Sequence, residues 1–220
     1  MSLKRVLEPE VMDSVEEARD YDQMDHAAVN DVFVSDLLAS GEIGGEILDL
    51  GTGTAQIPVA LCQRQEGCQV MAVDLAVHML DLARYQVEVN GLVERIMLDH
   101  IDAKSLPYDA DRFDVVMSNS IVHHIPEPAG VLAESIRVVR SGGRLFFRDL
   151  LRPESDEIVR QLVDSYAGDA NDHQQQMFDD SLRAALSLAE IQNLITELGY
   201  NSGEVQATSD RHWTWSTTKN

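Results

Sequence analysis

Four polar residues recur at one kind of position in this chain: Asp49, Asp74, Asp102 and Asn119 each stand where a short apolar run ends. In an open parallel sheet the C-terminal ends of the strands face one edge, and ligands bind along that edge. Directly after the first run lies Gly51-Thr52-Gly53-Thr54-Ala55, a turn that can bring backbone N–H groups and a helix N-terminus close to a ligand. Asp74 follows roughly 20 residues past the glycines, the spacing at which a carboxylate holds a ribose diol. Taken singly, Asp102 and Asn119 are also ordinary turn formers, and Asp74 an ordinary helix cap. Their recurrence at one topological position points to a site for an adenosine-containing cofactor.

The glycine spacing selects among such cofactors. A dinucleotide fingerprint needs a third glycine for close helix–strand packing, and that position holds Gln56. The stretch instead resembles the D-x-G-x-G-x-G motif of the class I S-adenosylmethionine (SAM)-dependent methyltransferases. Asp49, Gly51 and Gly53 match it, and Ala55 replaces the last glycine. The resemblance runs over residues 46–150: ILDLGTGTA, VDLA with Met79 downstream, DHIDAKSLPY, FDVVMSNSIVHHIPEP, and VVRSGGRLFF, where Arg140-Ser141 replaces Lys-Pro.

That likeness implies a cofactor, SAM, a product, S-adenosylhomocysteine, and a small-molecule methyl acceptor. It further implies that Gly51, Thr52 and Gly53 line the methionine moiety, and that Asp49 of the same motif is a cofactor-binding residue. Asp74 would hold the ribose hydroxyls, and Leu75 and Met79 would pack on the adenine. Asp102, aided by the Ala103 backbone, would accept from the adenine amino group. Asn119 and Ser120 would touch the methionyl end and the acceptor side. Two other readings stand beside it. One is a non-catalytic SAM-binding or scaffold protein; the other is a nicotinamide-dependent oxidoreductase, against which Gln56 argues.

Methyl transfer from a sulfonium asks mainly for alignment of acceptor and methyl group. A general base is needed only if the acceptor loses a proton. His123 and His124, after the fourth strand, are the candidates; the bland alternative is that one of them merely pins the loop. Tyr21, His26, Arg148, Asp149, Arg211, His212 and Trp213 are further polar or aromatic candidates for the acceptor pocket. His123, His124, His173 and His212 match no ligand spacing, so no metal site is expected.

The elements that must position these groups alternate strand and helix, which predicts an α/β fold. The expected form is a Rossmann-like, doubly wound, mostly parallel seven-stranded sheet with helices on both faces. An N-terminal helical extension (residues 1–44) precedes the SAM-binding core (45–150), and acceptor-side helices and a terminal hairpin (151–220) complete a single domain. Strands are expected over 46–50, 69–73, 96–101, 113–117 and 144–147. Helices are expected over 11–18, 27–38 and 57–64, the last placed by Pro58, which fits only a first turn. Further helices carry Ala76, Met79, Leu80, Ala83 and Val87, then Leu132, Ile136 and Val139, then Ile158, Leu162 and Tyr166 inward. Residues 168–176 read as a polar loop, a candidate lid. Ser187 and Glu190 form a capping box, and residues 204–207 and 211–216 a hairpin with Trp213 and Trp215 on one face.

The net charge is −21, from 17 basic and 38 acidic residues, which repels phosphate backbones and argues against nucleic acid as a partner. No apolar run is long enough to span a membrane, and no apolar segment follows Lys4-Arg5 as a signal peptide requires. Cys62 and Cys68 form no recognisable framework, so a reduced, cytoplasmic setting is expected. Nothing in the sequence speaks to oligomeric state.

Overall fold

The computed structural model describes residues 3–9, 14–23 and 27–220. Among them, seven strands form one sheet: β1 (Gly45–Leu50), β2 (Cys68–Asp74), β3 (Ile96–His100), β4 (Phe113–Asn119), β5 (Val139–Leu150), β6 (Val205–Ala207) and β7 (His212–Thr218). Their order is β3-β2-β1-β4-β5-β7-β6. β1 pairs parallel with β2 and β4, β2 pairs parallel with β3, and β6 and β7 form the antiparallel hairpin. Residues 47–50 of β1 are all buried, the mark of a central parallel strand covered on both faces.

The helices are α1 (Val15–Gln23), α2 (Ala27–Ala39), α3 (Gln56–Arg64), α4 (Val77–Val89), α5 (Ala129–Val138), α6 (Asp156–Ala167), α7 (Asp172–Ala184) and α8 (Leu188–Glu197). Pro58 sits in the first turn of α3, where its missing N–H costs nothing. The helix expected over 11–18 runs on to Gln23; residues 11–13 lie outside the described residues, as does His26.

The chain divides into two compact units. One comprises residues 11–119, 130–147 and 216–220. Its core gathers Phe33 and Leu37 of α2, Ile47 of β1, Val70 of β2, Met117 of β4 and Phe146 of β5. Phe33 and Phe146 meet edge-to-face at 5.2 Å, a favourable arrangement of ring quadrupoles. The other comprises residues 1–10, 120–129 and 148–215. Val159 and Leu162 of α6 pack there with Leu182 of α7 and Leu150, and Leu3 joins them. Among the described residues no helix is long and apolar enough to cross a membrane.

Three expectations are corrected. Residues 172–176 are not loop but the start of α7, headed by a capping box in which Asn171 and Gln174 satisfy each other's backbone N–H groups. Tyr166 does not point inward: it is 48% exposed, donates its hydroxyl to Asp210 and lies 3.3 Å from the Arg211 guanidinium. β5 begins at Val139, five residues before the expected start. The capping box of Ser187 and Glu190 is present as expected.

Candidate functional site

A tight turn links β1 to α3, and its backbone is left-handed at Gly51 (φ 68°), Gly53 (φ 55°) and Ala55 (φ 61°). Glycine takes this conformation freely, whereas alanine is strained there by about 1–2 kcal/mol. The buried Ala55 therefore occupies the position where the third glycine of the motif has a physical purpose. The amides of Gly51 and Thr52 both donate to Val73 O, at 2.9 and 3.0 Å, which ties the turn to the end of β2.

Asp74 closes the other side. Its Oδ2 accepts from Gly53 N at 2.7 Å and its Oδ1 from Ala76 N at 2.8 Å. It therefore forms the turn that leads from β2 into α4. The cleft beside the turn is lined by Tyr21, Asn30, Asp49, Gly51, Thr52, Thr54, Gln56, Ile57 and Asn119.

The electrostatics of this cleft are one-sided. Burial pushes Asp49 up to about 7; the Thr52 hydroxyl works against that and the Asp74 carboxylate adds to it. Burial, then the charges of Asp74, Asp49 and Asp22, push the Tyr21 phenol up to about 12. Asn119 Oδ1 is buried and accepts no hydrogen bond. A carboxylate and an amide oxygen thus face a buried space whose lining includes no basic side chain, an environment that favours a cationic ligand group.

The expected site residues divide accordingly. Asp49, Gly51, Thr52 and Asn119 line one cleft, and Gly53 joins them to Asp74. Met79 is buried against Ala18 and Ala76, with Tyr21 alongside. Leu75 lends its carbonyl to His100 Nε2 at 2.9 Å. Asp102 bonds Lys104 through both its amide (2.9 Å) and its ammonium (3.1 Å). Burial opposes but those contacts win, holding Asp102 below the usual carboxylate range. Ala103 is buried beside it. Ser120 has a left-handed backbone (φ 61°), and its amide donates to Arg148 O at 2.9 Å.

His123 and His124 lie in a short 3-10 turn after β4. His123 is 3% exposed; its Nδ1 meets Asp149 Oδ1 at 2.5 Å and its Nε2 stands 3.5 Å from Glu8 Oε1. Burial pulls the imidazole down, but Asp149 and then Glu8 outweigh it and the net shift is upward. His124 Nδ1 stands 3.0 Å from the same Glu8 oxygen. Asp149 also accepts from the amides of Val122 and His123. Its neighbour Arg148 donates to Thr214 Oγ1 at 2.9 Å.

Of the other acceptor-pocket candidates, Tyr21 lines the cleft, while His212 is buried and bonded to Ser209, and Trp213 is fully buried. Sequence reasoning missed Asn30 and Gln56 as lining residues. Asn30 Nδ2 donates to Gln56 Oε1 at 3.0 Å and Gln56 Nε2 to Thr54 Oγ1 at 3.3 Å, which builds a polar wall where a third glycine would have left space. Gln56 stood out only as a departure from a motif, and Asn30 carried no local signal.

Comparison with known proteins bears on the family and the fold. Residues 48–147 match the family model described as a methyltransferase domain. Methyltransferase GfsG of Streptomyces halstedii is 33% identical over 124 residues, 56% of this chain and 44% of that protein. The demethylmenaquinone methyltransferase of Clavibacter sepedonicus is 34% identical over 123 residues, 56% of this chain and 48% of its own length. The chain thus spans about half the length of these curated relatives. Among solved structures, an S-adenosyl-L-methionine-dependent methyltransferase fold from Methanococcus maripaludis superposes with a TM-score of 0.72, covering 98% of both chains at 18% identity.

Proposed function

We propose, on the premise that residues 48–147 are a class I SAM-dependent methyltransferase domain, that the protein transfers the methyl group of SAM to a small-molecule acceptor. The observation that carries this reading is the pairing of Asp49 with the unbonded Asn119 Oδ1 in the cleft beside the Gly51–Gly53 turn. A buried carboxylate and a buried amide oxygen that accepts no hydrogen bond suit the ammonium of a methionine moiety. The Asp74 carboxylate, at the tip of β2 beside the turn, suits a ribose diol.

Bound SAM supplies an already activated methyl group. The chain's own task is then to bind, orient and exclude water. Asp49 and Asn119 would hold the amino-acid end, the Thr52 and Gly53 backbone would frame the turn, and Tyr21 would close the cleft from α1. Asp102, with Ala103, would meet the adenine once Lys104 yields one of its contacts. Leu75 and Met79 would supply apolar walls, and Ser120 would border the acceptor side. His123 and His124 remain our candidates for moving a proton off an acceptor. Both ring nitrogens of His123 face carboxylates, and so does Nδ1 of His124.

The acceptor class rests on relatives: the Clavibacter protein is named for a demethylmenaquinone, a small organic molecule. We place the protein in a reducing, cytoplasmic setting, which the unbridged Cys62 and Cys68 support; burial pushes Cys68 up to about 11. Calorimetric titration with SAM and with S-adenosylhomocysteine tests the binding half. No heat at millimolar ligand would end the reading. Incubation with methyl-labelled SAM and a metabolite extract tests the transfer half. Label in a small product supports it, whereas binding without any labelled product supports the inert SAM-binding alternative.

A further inference from the structure

The pair of histidines belongs to a second constellation, assembled within the unit formed by residues 1–10, 120–129 and 148–215. Glu8 Oε1 stands 3.0 Å from His124 Nδ1 and 3.5 Å from His123 Nε2. All three candidate ligand atoms lie within 4.8 Å of one another, the one such group among the described residues. The side chains are 11%, 13% and 4% exposed, respectively.

The two distances are those of a compact ligand set. A charge-assisted N–H···O bond is about 2.7–2.9 Å long, and 3.5 Å exceeds it. The shorter contact, 3.0 Å from the buried His124 Nδ1 to Glu8, lies within hydrogen-bonding reach. The two ring nitrogens converge on one carboxylate oxygen, an arrangement that also suits three lone pairs around a common ion. With metal–ligand bonds of about 2.0–2.1 Å, the edge of a tetrahedral site is about 3.3 Å, and the two separations bracket that value.

The surroundings supply what such a site needs. His123 Nδ1 is bonded to Asp149 at 2.5 Å, which fixes the ring and leaves Nε2 as the ligand atom, the carboxylate–histidine support seen behind metal-bound imidazoles. Asp149 is held in turn by the amides of Val122 and His123. On the opposite side, Arg5 donates to the carbonyls of Ala184, Pro126, His123 and Ile125. Ser181 adds a hydroxyl to the Glu8 carboxylate. The segment bearing Glu8 is therefore seated by contacts of its own.

We propose that Glu8, His123 and His124 bind one divalent transition-metal ion of zinc-like preference and thereby clamp residues 3–9 to the turn after β4. Imidazole and carboxylate ligands suit zinc, cobalt and nickel rather than magnesium or calcium. Three protein ligands leave a fourth position for water or another small donor. The two carboxylates, Glu8 as ligand and Asp149 behind His123, balance the charge of the ion. The proposal stands independently of SAM binding.

The test uses the full chain stripped with chelator and titrated with cobalt(II). One equivalent should bind with the visible absorption of tetrahedral coordination, and one equivalent of zinc should displace it. Glu8→Gln and His124→Asn, checked for folding by circular dichroism, should each weaken cobalt binding at least about 100-fold. In the unmodified protein, zinc should shift the imidazole nitrogen resonances of His123 and His124 and of no other histidine, a readout that needs no variant. No tetrahedral band, unchanged affinity in Glu8→Gln, or nitrogen shifts at other histidines would each overturn the assignment.

Discussion

Gly53 N donates to Asp74 Oδ2 at 2.7 Å, so the tip of β2 and the glycine turn after β1 are joined by one carboxylate. The same group caps the entry to α4 through Ala76 N. Asp74 is thereby a structural clasp, and under the proposed function it is also the acceptor for a ribose. Replacing it with alanine strands two amides and removes the diol contact. Asp74→Ala should weaken SAM binding by about 1–3 kcal/mol and lower folding stability by a similar amount. Calorimetry and thermal melts read the two losses separately; unchanged affinity would remove Asp74 from the site.

Asp49 gives the binding a pH dependence of defined sign. Its folded pKa is raised from 3.8 to about 7. The stabilisation it contributes as a protonated group is complete below pH 3.8 and is lost as pH rises through 7. A cationic ligand beside it favours the ionised form, so SAM should bind more tightly at pH 7.5 than at 5.5 and should release protons near pH 6. Titrations in buffers of different ionisation heat measure that release. Asp49→Asn should abolish it; tighter binding at the lower pH would contradict the assignment.

Asn119 Oδ1 is a buried acceptor left without a donor in the folded chain. Such groups cost about 1–3 kcal/mol. Asn119→Ala should therefore leave the ligand-free protein as stable as before or slightly more stable, while weakening SAM binding. A parallel loss of both properties would mark Asn119 as purely structural.

Arg152, whose side chain is 3% exposed, makes two 2.7 Å contacts to the carboxylate of Glu190. Glu190 also completes the capping box at the start of α8 through Ser187 N. Glu190→Ala leaves a buried guanidinium without its counter-charge and removes the cap. A loss of about 2–4 kcal/mol in denaturant unfolding is expected, against less than about 1 kcal/mol for an exposed pair such as Arg84 and Asp81.

What could be read in the sequence was what neighbours along the chain decide. The turn from Gly51 to Ala55, the carboxylate at the end of β2 and the Ser187–Glu190 cap are local patterns, because backbone geometry within a few residues dictates them. The Asn171–Gln174 cap was equally local but was masked by the glutamines around it, whose polarity read as loop. Amphipathic spacing placed Tyr166 inward, yet Asp210 and Arg211, more than 40 residues away, hold it at the surface.

Sequence alone thus determined the strand–helix alternation and the glycine turn after β1, since each follows from periodicity or from short-range chemistry. Tertiary structure decided which side chains share a space. Asn30 and Gln56 came together across α2 and α3, and Glu8 met His123 and His124 across more than 110 residues of chain. No pattern in the chain encodes such meetings, because they depend on how packed elements bring distant backbone together, and there burial turns an ordinary glutamate or asparagine into a group with chemistry.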